Sequence, residues 1–202
     1  MVTSVNNALL NYLTSSTQDG SQAGSSVLAR AKAAAWKAGE SGQRSGNVVR
    51  GRGIGYARYK TVATYTAVIA EVEVDRESGK IFAKRFTVAH DCGQIINPDG
   101  LEKCIEGNIV QGISRTLWEE VKFDNKNVTS VDWQSYPILD MKDAPEAIDI
   151  TLMDRPDIAP SGVGEGTCRP LPAAIANAIF DATGVRLRQA PFTPARLKAA
   201  LA

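Results

Sequence analysis

From Ala70 to Asp75 the chain alternates without a fault: Ala70, Val72 and Val74 are apolar, while Glu71, Glu73 and Asp75 are acidic. A period of two sends successive side chains to opposite faces of a strand, and a helix would scatter the same residues around its circumference. Upstream, the run from Tyr59 is thick with Val, Thr, Tyr and Ile and extends the strand. Arg76-Glu77-Ser78-Gly79 reads as a turn, and Lys80 to His90 as a returning strand. A long antiparallel hairpin with one solvated face follows, and its apolar face has to be covered by something else.

Helices supply that cover. Ile105, Ile109, Ile113 and Leu117 recur at helical spacing with Val110 beside them, and Asn97-Pro98-Asp99 opens the element. Gly107 and Gly112 fall inside this helix, where each costs about 1 kcal/mol against alanine unless a backbone or a ligand presses close. A second helix, Ala173 to Thr183, turns around Ile175 and Ile179 and is closed by Gly184. Thr193-Pro194 caps a last short helix. Between them, Val121–Asp124, the Asn125-Lys126-Asn127 turn and Val128–Trp133 predict another hairpin. Tyr136-Pro137-Ile138-Leu139 is an extended link, and Ile148–Met153 a strand. The expected fold class is α+β: antiparallel hairpins packed with a long glycine-containing helix and a C-terminal helix pair.

Residues 1–50 read differently. Val5–Leu13 and Val27–Lys37 predict helices, Thr14–Ser26 offers almost no apolar surface, and Gly39–Gly46 breaks the second helix. We expect a poorly ordered or helical connector over 1–50 and a domain over 51–202. The 202 residues are 44% hydrophobic and 22% charged, which allows one sizeable core or two small ones. A formal net charge of +1 argues against a nucleic-acid surface. No apolar run approaches the roughly 20 residues of a membrane span, and the N-terminus shows no signal-peptide pattern. Cytoplasmic and periplasmic locations both stay open.

The chemistry-bearing candidates are few. Ser161-Gly162-Val163-Gly164-Glu165-Gly166-Thr167 sets one carboxylate among three glycines, directly ahead of an apolar helix. Held there, Glu165 suits a general base, provided a dry pocket tunes it; an ordinary solvated surface loop is the alternative. Arg50-Gly51-Arg52-Gly53-Ile54-Gly55 looks like a dinucleotide loop, yet a β-rich run follows it in place of a helix. His90 is the single histidine, expected as a structural residue near a strand end. Cys92, Cys104 and Cys168 form no close pair, so neither a disulfide framework nor a zinc site is expected.

A collinear set of motifs reaches further. Thr64-Tyr65-Thr66-Ala67 and the hairpin after it come first, then Asp91-Cys92-Gly93-Gln94-Ile95-Ile96-Asn97-Pro98 and Ile105-Glu106-Gly107-Asn108-Ile109-Val110-Gln111-Gly112. Tyr136-Pro137-Ile138-Leu139, Gly162-Val163-Gly164-Glu165 and Ala173 to Gly184 complete it. In this order they resemble the C-terminal part of the molybdenum-hydroxylase large subunit, the family of xanthine dehydrogenases and aldehyde oxidases. The likeness is nearest to the isoquinoline 1-oxidoreductase β-subunit branch and covers roughly residues 50–200.

The resemblance implies that Glu165 is the catalytic base of a hydroxylase acting on an aldehyde or an N-heterocycle carbon, with oxygen drawn from water. It implies a molybdopterin-type molybdenum cofactor, contacted by the backbone at Gly162, Val163 and Gly164 and at Cys104. Cys104 stands where the family commonly has a cofactor-contacting glutamine. The partners implied are the remainder of the large subunit, an iron–sulfur small subunit that carries electrons away, and a small-molecule substrate. The segments that supply most cofactor contacts lie upstream in the family and have no counterpart here, so this chain alone is expected to hold no cofactor. A non-catalytic or accessory relative, acting as a binding or assembly module, is the alternative.

Overall fold

The computed structural model describes residues 45–59 and 64–202. The helices expected over Val5–Leu13 and Val27–Lys37, and the weak stretch Thr14–Ser26, lie outside the described residues. So does almost all of the expected connector; its last residues, Val48 to Arg50, already belong to the sheet.

Four strands, β1 (Val48–Tyr59), β2 (Thr64–Asp75), β3 (Ile81–Asp91) and β4 (Ala147–Met153), lie side by side in that order. The β1/β2 and β2/β3 pairs are antiparallel, as the hairpin reading requires, and β4 runs parallel to β3. Three helices complete the fold: α1 (Pro98–Leu117), α2 (Leu171–Thr183) and α3 (Pro194–Leu201). The architecture is α+β. Because a parallel neighbour needs a crossover, the whole stretch from α1 to residue 146 serves to bring β4 back to the edge of β3.

The alternation in β2 does what its period predicts. Val72 and Val74 are buried in the main core, whereas Glu71 and Glu73 meet Arg52 and Arg50, their register partners on β1. Such half-exposed pairs are worth about 0–1 kcal/mol, so the apolar face fixes the register. The first half of β2 is another matter. Ala67 and Ile69 face a second, smaller cluster with Ile54 and Ala89, so this end of the sheet is covered on both sides.

β1 is a strand that the sequence reading passed over. Its glycines occupy the place where α2 crosses: a Cβ on Gly51 would collide with the backbone of Ala178 and Ala182, on Gly53 with Ala174 and Ala178, and on Gly55 with Pro170. Strand glycines of this kind mark close approach of another backbone. The glycine run that looked like a phosphate loop is a groove for a helix.

α1 starts at Asn97, whose side chain accepts from Gly100 N at 3.0 Å, with Pro98 at the first helical position. Leu101, Ile105, Ile109, Ile113 and Leu117 are all buried, each contributing about 1.5–3 kcal/mol. Gly112 is explained by Leu171, whose side chain fills the space of a Cβ; Gly107 has open space around it. α2 begins two residues before the expected start and ends on Gly184 at φ 78°, whose N–H donates to Phe180 O. Thr193 caps α3 by accepting from Arg196 N.

The second expected hairpin shrinks to its tip around the 125–127 turn, where Asp124 N donates to Asn127 O at 2.9 Å and Thr129 N to Lys122 O at 2.8 Å. Residues 121–133 hold a single Phe123–Val128 bridge, and Val121, Phe123, Val131 and Trp133 are exposed. β-branched and aromatic residues extend a strand only where it has a face to bury, and this segment finds none. Tyr136 closes a turn on Asp132 O, and the link through 137–139 carries no regular secondary structure, with Leu139 N donating to Ser114 Oγ at 2.9 Å.

Candidate active site

Glu165 sits in a tight turn between β4 and α2. Gly166 N donates to Val163 O at 2.7 Å, which puts Gly164 and Glu165 at the two central positions. Gly164 has φ +31°, a region that disfavours side chains, so glycine is needed there; at Gly162 a Cβ would meet open space.

Four separate attachments hold this loop. At its root, Ser161 N and Oγ donate to Cys92 O at 2.9 and 3.1 Å. Cys92 is itself placed by the turn after β3, where the buried Asp91 accepts from Gly93 N at 3.0 Å and meets Arg155 at 3.4 Å. Thr64, at the start of β2, donates to Gly162 O at 3.1 Å. In the middle, α1 reaches over: Asn108 Nδ2 donates to Gly164 O at 2.9 Å, and Asn108 Oδ1 accepts from Cys168 N at 3.2 Å. At the far end, Thr167 Oγ1 lies 3.3 Å from His90 Nδ1, and Thr66 Oγ1 lies 3.0 Å from the same nitrogen.

His90 is thus buried in β3 beneath the loop, and burial pushes its pKa down to about 4. The imidazole is neutral at pH 7 and serves as a floor. Its Nε2 has no hydrogen-bond partner among the described residues.

The sequence-derived candidates come together in part. Glu165 opens onto a cleft of about 370 Å³ lined by Gly112, Arg115, Cys168, Arg169 and Pro172. Its Oε1 lies 3.4 Å from Arg115 Nη1, with the two side chains 53% and 50% exposed. The dry pocket asked of a general base is therefore not built by the described residues, which give an open half-site. Arg169 lies over the Tyr59 ring at 5.1 Å on the same rim. Cys104 joins the loop from α1, its Sγ–H donating to Gly164 O at 3.3 Å. Cys168 donates through Sγ to Asn108 O at 3.3 Å, and burial pushes its thiol pKa up. Val163 packs against the main core. The N–H groups of Gly162, Val163, Gly164 and Glu165 make no hydrogen bond among the described residues. A row of unused donors beside a carboxylate can receive an acceptor-rich ligand.

Asn108 escaped the sequence reading as a site residue. The available signal was its residue type, because asparagine is a poor choice for a buried helix interior unless its amide has work to do.

The comparisons with known proteins bear on the fold and the family. The family described as "Molybdopterin cofactor-binding domain" matches residues 48–145, a stretch that ends before the Glu165 loop. A nicotinate dehydrogenase subunit of Pseudomonas putida is 44% identical over 165 residues, covering 79% of this chain and 14% of that protein. The isoquinoline 1-oxidoreductase β-subunit of Brevundimonas diminuta is 31% identical over 153 residues, covering 76% of this chain and 19% of that protein. In the crystal structure of quinoline 2-oxidoreductase from Pseudomonas putida 86, a region 30% identical superposes with a TM-score of 0.63, covering 68% of this chain and 18% of that chain. The chain therefore spans less than a fifth of the length of these relatives. On a shared fold and on sequence likeness over most of its length, it belongs to the molybdopterin-binding large subunits of the molybdenum hydroxylases.

Proposed function

We propose that this chain is the C-terminal part of a molybdopterin-binding large subunit and contributes Glu165 as the general base of a hydroxylation at an aldehyde or N-heterocycle carbon. The observation that carries the reading is the placement of Glu165. It stands at the tip of a turn fixed to α1, β2 and β3, with a cleft on one side and, beside it, N–H groups that make no hydrogen bond among the described residues. The backbone at Gly162, Val163 and Gly164 would hold the cofactor, because pterin phosphate and sulfur atoms accept hydrogen bonds and the free N–H groups donate them. Cys104 would act at one remove, since its thiol is engaged with Gly164 O. When bound, the molybdenum cofactor supplies the two-electron oxidation of the substrate carbon. Glu165 accepts the proton that this chemistry releases at its carboxylate. Arg115, 3.4 Å away, is the charged neighbour that pairs with the carboxylate.

The open side of the cleft requires walls from the remainder of the large subunit, which exclude water and shape the substrate pocket. An iron–sulfur small subunit is the expected electron acceptor, and the two relatives named as subunits of larger enzymes support a multi-chain assembly. Among the described residues no helix is long and apolar enough to cross a membrane.

The test is turnover per bound molybdenum in the complete, cofactor-loaded assembly. Glu165→Gln keeps size and hydrogen-bonding capacity but removes the base, so turnover should fall by about 10²–10⁴-fold with cofactor content unchanged. Glu106→Gln and Glu119→Gln are controls, because Glu106 pairs with Lys103 and Glu119 accepts from Tyr136 OH, away from the cleft. Near-normal turnover of Glu165→Gln at normal loading would remove Glu165 from the mechanism.

A further inference from the structure

We propose that Asn108 is the positioning residue of this site, transmitting the rigidity of α1 to the backbone that carries Glu165. The inference rests on the Glu165 reading above and deepens it. Asn108 lies one turn after Cys104 on the loop-facing side of α1, between Ile105 and Ile109, which are fully buried in the core. Its amide makes three hydrogen bonds to backbone groups, with complementary polarity, beside a longer Nδ2 contact to Cys104 Sγ at 3.7 Å. One Nδ2 hydrogen goes back to Cys104 O at 2.7 Å, which orients the amide, and the other reaches Gly164 O at 2.9 Å. Oδ1 then accepts from Cys168 N at 3.2 Å.

Gly164 and Cys168 bracket Glu165, so one side chain holds the peptide just before the carboxylate residue and the amide three residues after it. The amide group suits this task. A donor has to meet the Gly164 carbonyl and an acceptor has to meet the Cys168 N–H, on opposite atoms of one rigid plane. Aspartate offers only acceptors, leucine offers neither, and serine is too short to span both. The clamp also falls on Gly164 itself: the carbonyl that accepts from Asn108 Nδ2 belongs to the residue held at positive φ. Cys104 Sγ–H adds a weaker second bond to that carbonyl, and Cys168 Sγ–H bonds to Asn108 O, so the two thiols flank the clamp.

The experiment uses the complete cofactor-loaded assembly carrying Asn108→Asp or Asn108→Leu. Asn108→Asp keeps the acceptor for Cys168 N and turns the Gly164 contact repulsive; Asn108→Leu keeps the volume and removes all three bonds. Exchange of the Gly166 and Cys168 amides, the hydrogen-bonded ones in the 162–168 peptide, should quicken on the order of tenfold in both variants, while a peptide within α2 exchanges as before. At the same time kcat per bound molybdenum should fall about 10–100-fold with KM changed far less, as expected when a reacting group is displaced by a fraction of an ångström to 1 Å. A purely structural role would lower stability or cofactor loading and leave turnover per molybdenum intact; that result overturns the proposal, as does unchanged exchange over 162–168. Should Asn108→Leu also loosen α2, Asn108→Asp decides alone. If Glu165→Gln proves fully active, the base assignment fails, and the exchange measurement still judges the clamp independently.

Discussion

Two stretches of this molecule lack regular secondary structure and behave in opposite ways. The Glu165 loop, Ser161–Thr167, has little apolar surface, yet side chains from α1 and β2 and a backbone carbonyl after β3 hold it, with His90 beneath. The segment 121–141 is rich in Val, Phe, Trp and Met, yet Phe123, Val131, Trp133 and Met141 are all more than three-quarters exposed. Up to residue 135 its order comes from its own turns: Asp124 Oδ1 accepts from Lys126 N and Asn127 N at 2.7 and 2.8 Å, and Ser135 ties back to Asp132; only its end is held from outside, by Glu119 on Tyr136 and Ser114 on Leu139. The difference teaches that a loop is fixed in space by buried polar partners on other elements, and that apolar residues alone fix nothing where no surface comes to meet them.

The largest expected contrast is in acid. His90 is neutral and buried, with its pKa lowered by desolvation from 6.5 to about 4. Between these values the unfolded chain binds a proton that the folded chain refuses, so stability falls as pH drops from 6.5 towards 4 and is fully present above 6.5. The loss is about 3 kcal/mol, from 1.36 kcal/mol per unit. Asp124 is held below the ordinary carboxylate range by backbone bonds from Asn127 and Lys126, and Asp132 by bonds from Ser135. Their contribution is present above pH 3.8 and is lost only as pH falls below it. Hydrogen exchange followed from pH 7 to 3 should therefore show the floor of the Glu165 loop opening first and the 121–141 turns later. The reverse order would break the comparison.

A smaller contrast tests the backbone. Gly164→Ala forces a side chain onto φ +31° and should cost about 1–2 kcal/mol, read as a lower midpoint in urea. Gly107→Ala, in an α1 position with open space, should instead stabilise by about 0.5–1 kcal/mol. Equal effects at both glycines would show that the Gly164 turn is not constrained.

The smallest effect belongs to the exposed segment. Trp133→Ser removes a side chain that is 79% exposed and should change folding stability by less than about 0.5 kcal/mol in this chain. A loss several times larger in the same unfolding measurement would mean that Trp133 is packed, contrary to its exposure here.

Local order was legible in the residues themselves. The period of two in β2, the turn at 76–79, the four-residue spacing of Ile105, Ile109 and Ile113, and Gly184 closing α2 all report interactions within a few positions along the chain. The resemblance carried the family and directed attention to Glu165, and the turn around Gly164 could be read from its glycines. Other features required distant partners. β1 is a strand because it pairs with β2 along its whole length, its glycines admit the backbone of α2, and the glycine motif by itself had no apolar pattern to announce it. The expected strands at 121–133 lacked a sheet edge, while Ile148–Met153 found one beside β3, parallel to it and some 60 residues away in sequence. The open cleft, the buried His90 and the Asn108 clamp are likewise tertiary facts. Periodicity says which face of an element is apolar, but only packing decides which other element meets that face, and a hydrogen bond spanning 56 residues, such as Asn108 to Gly164, leaves no local trace.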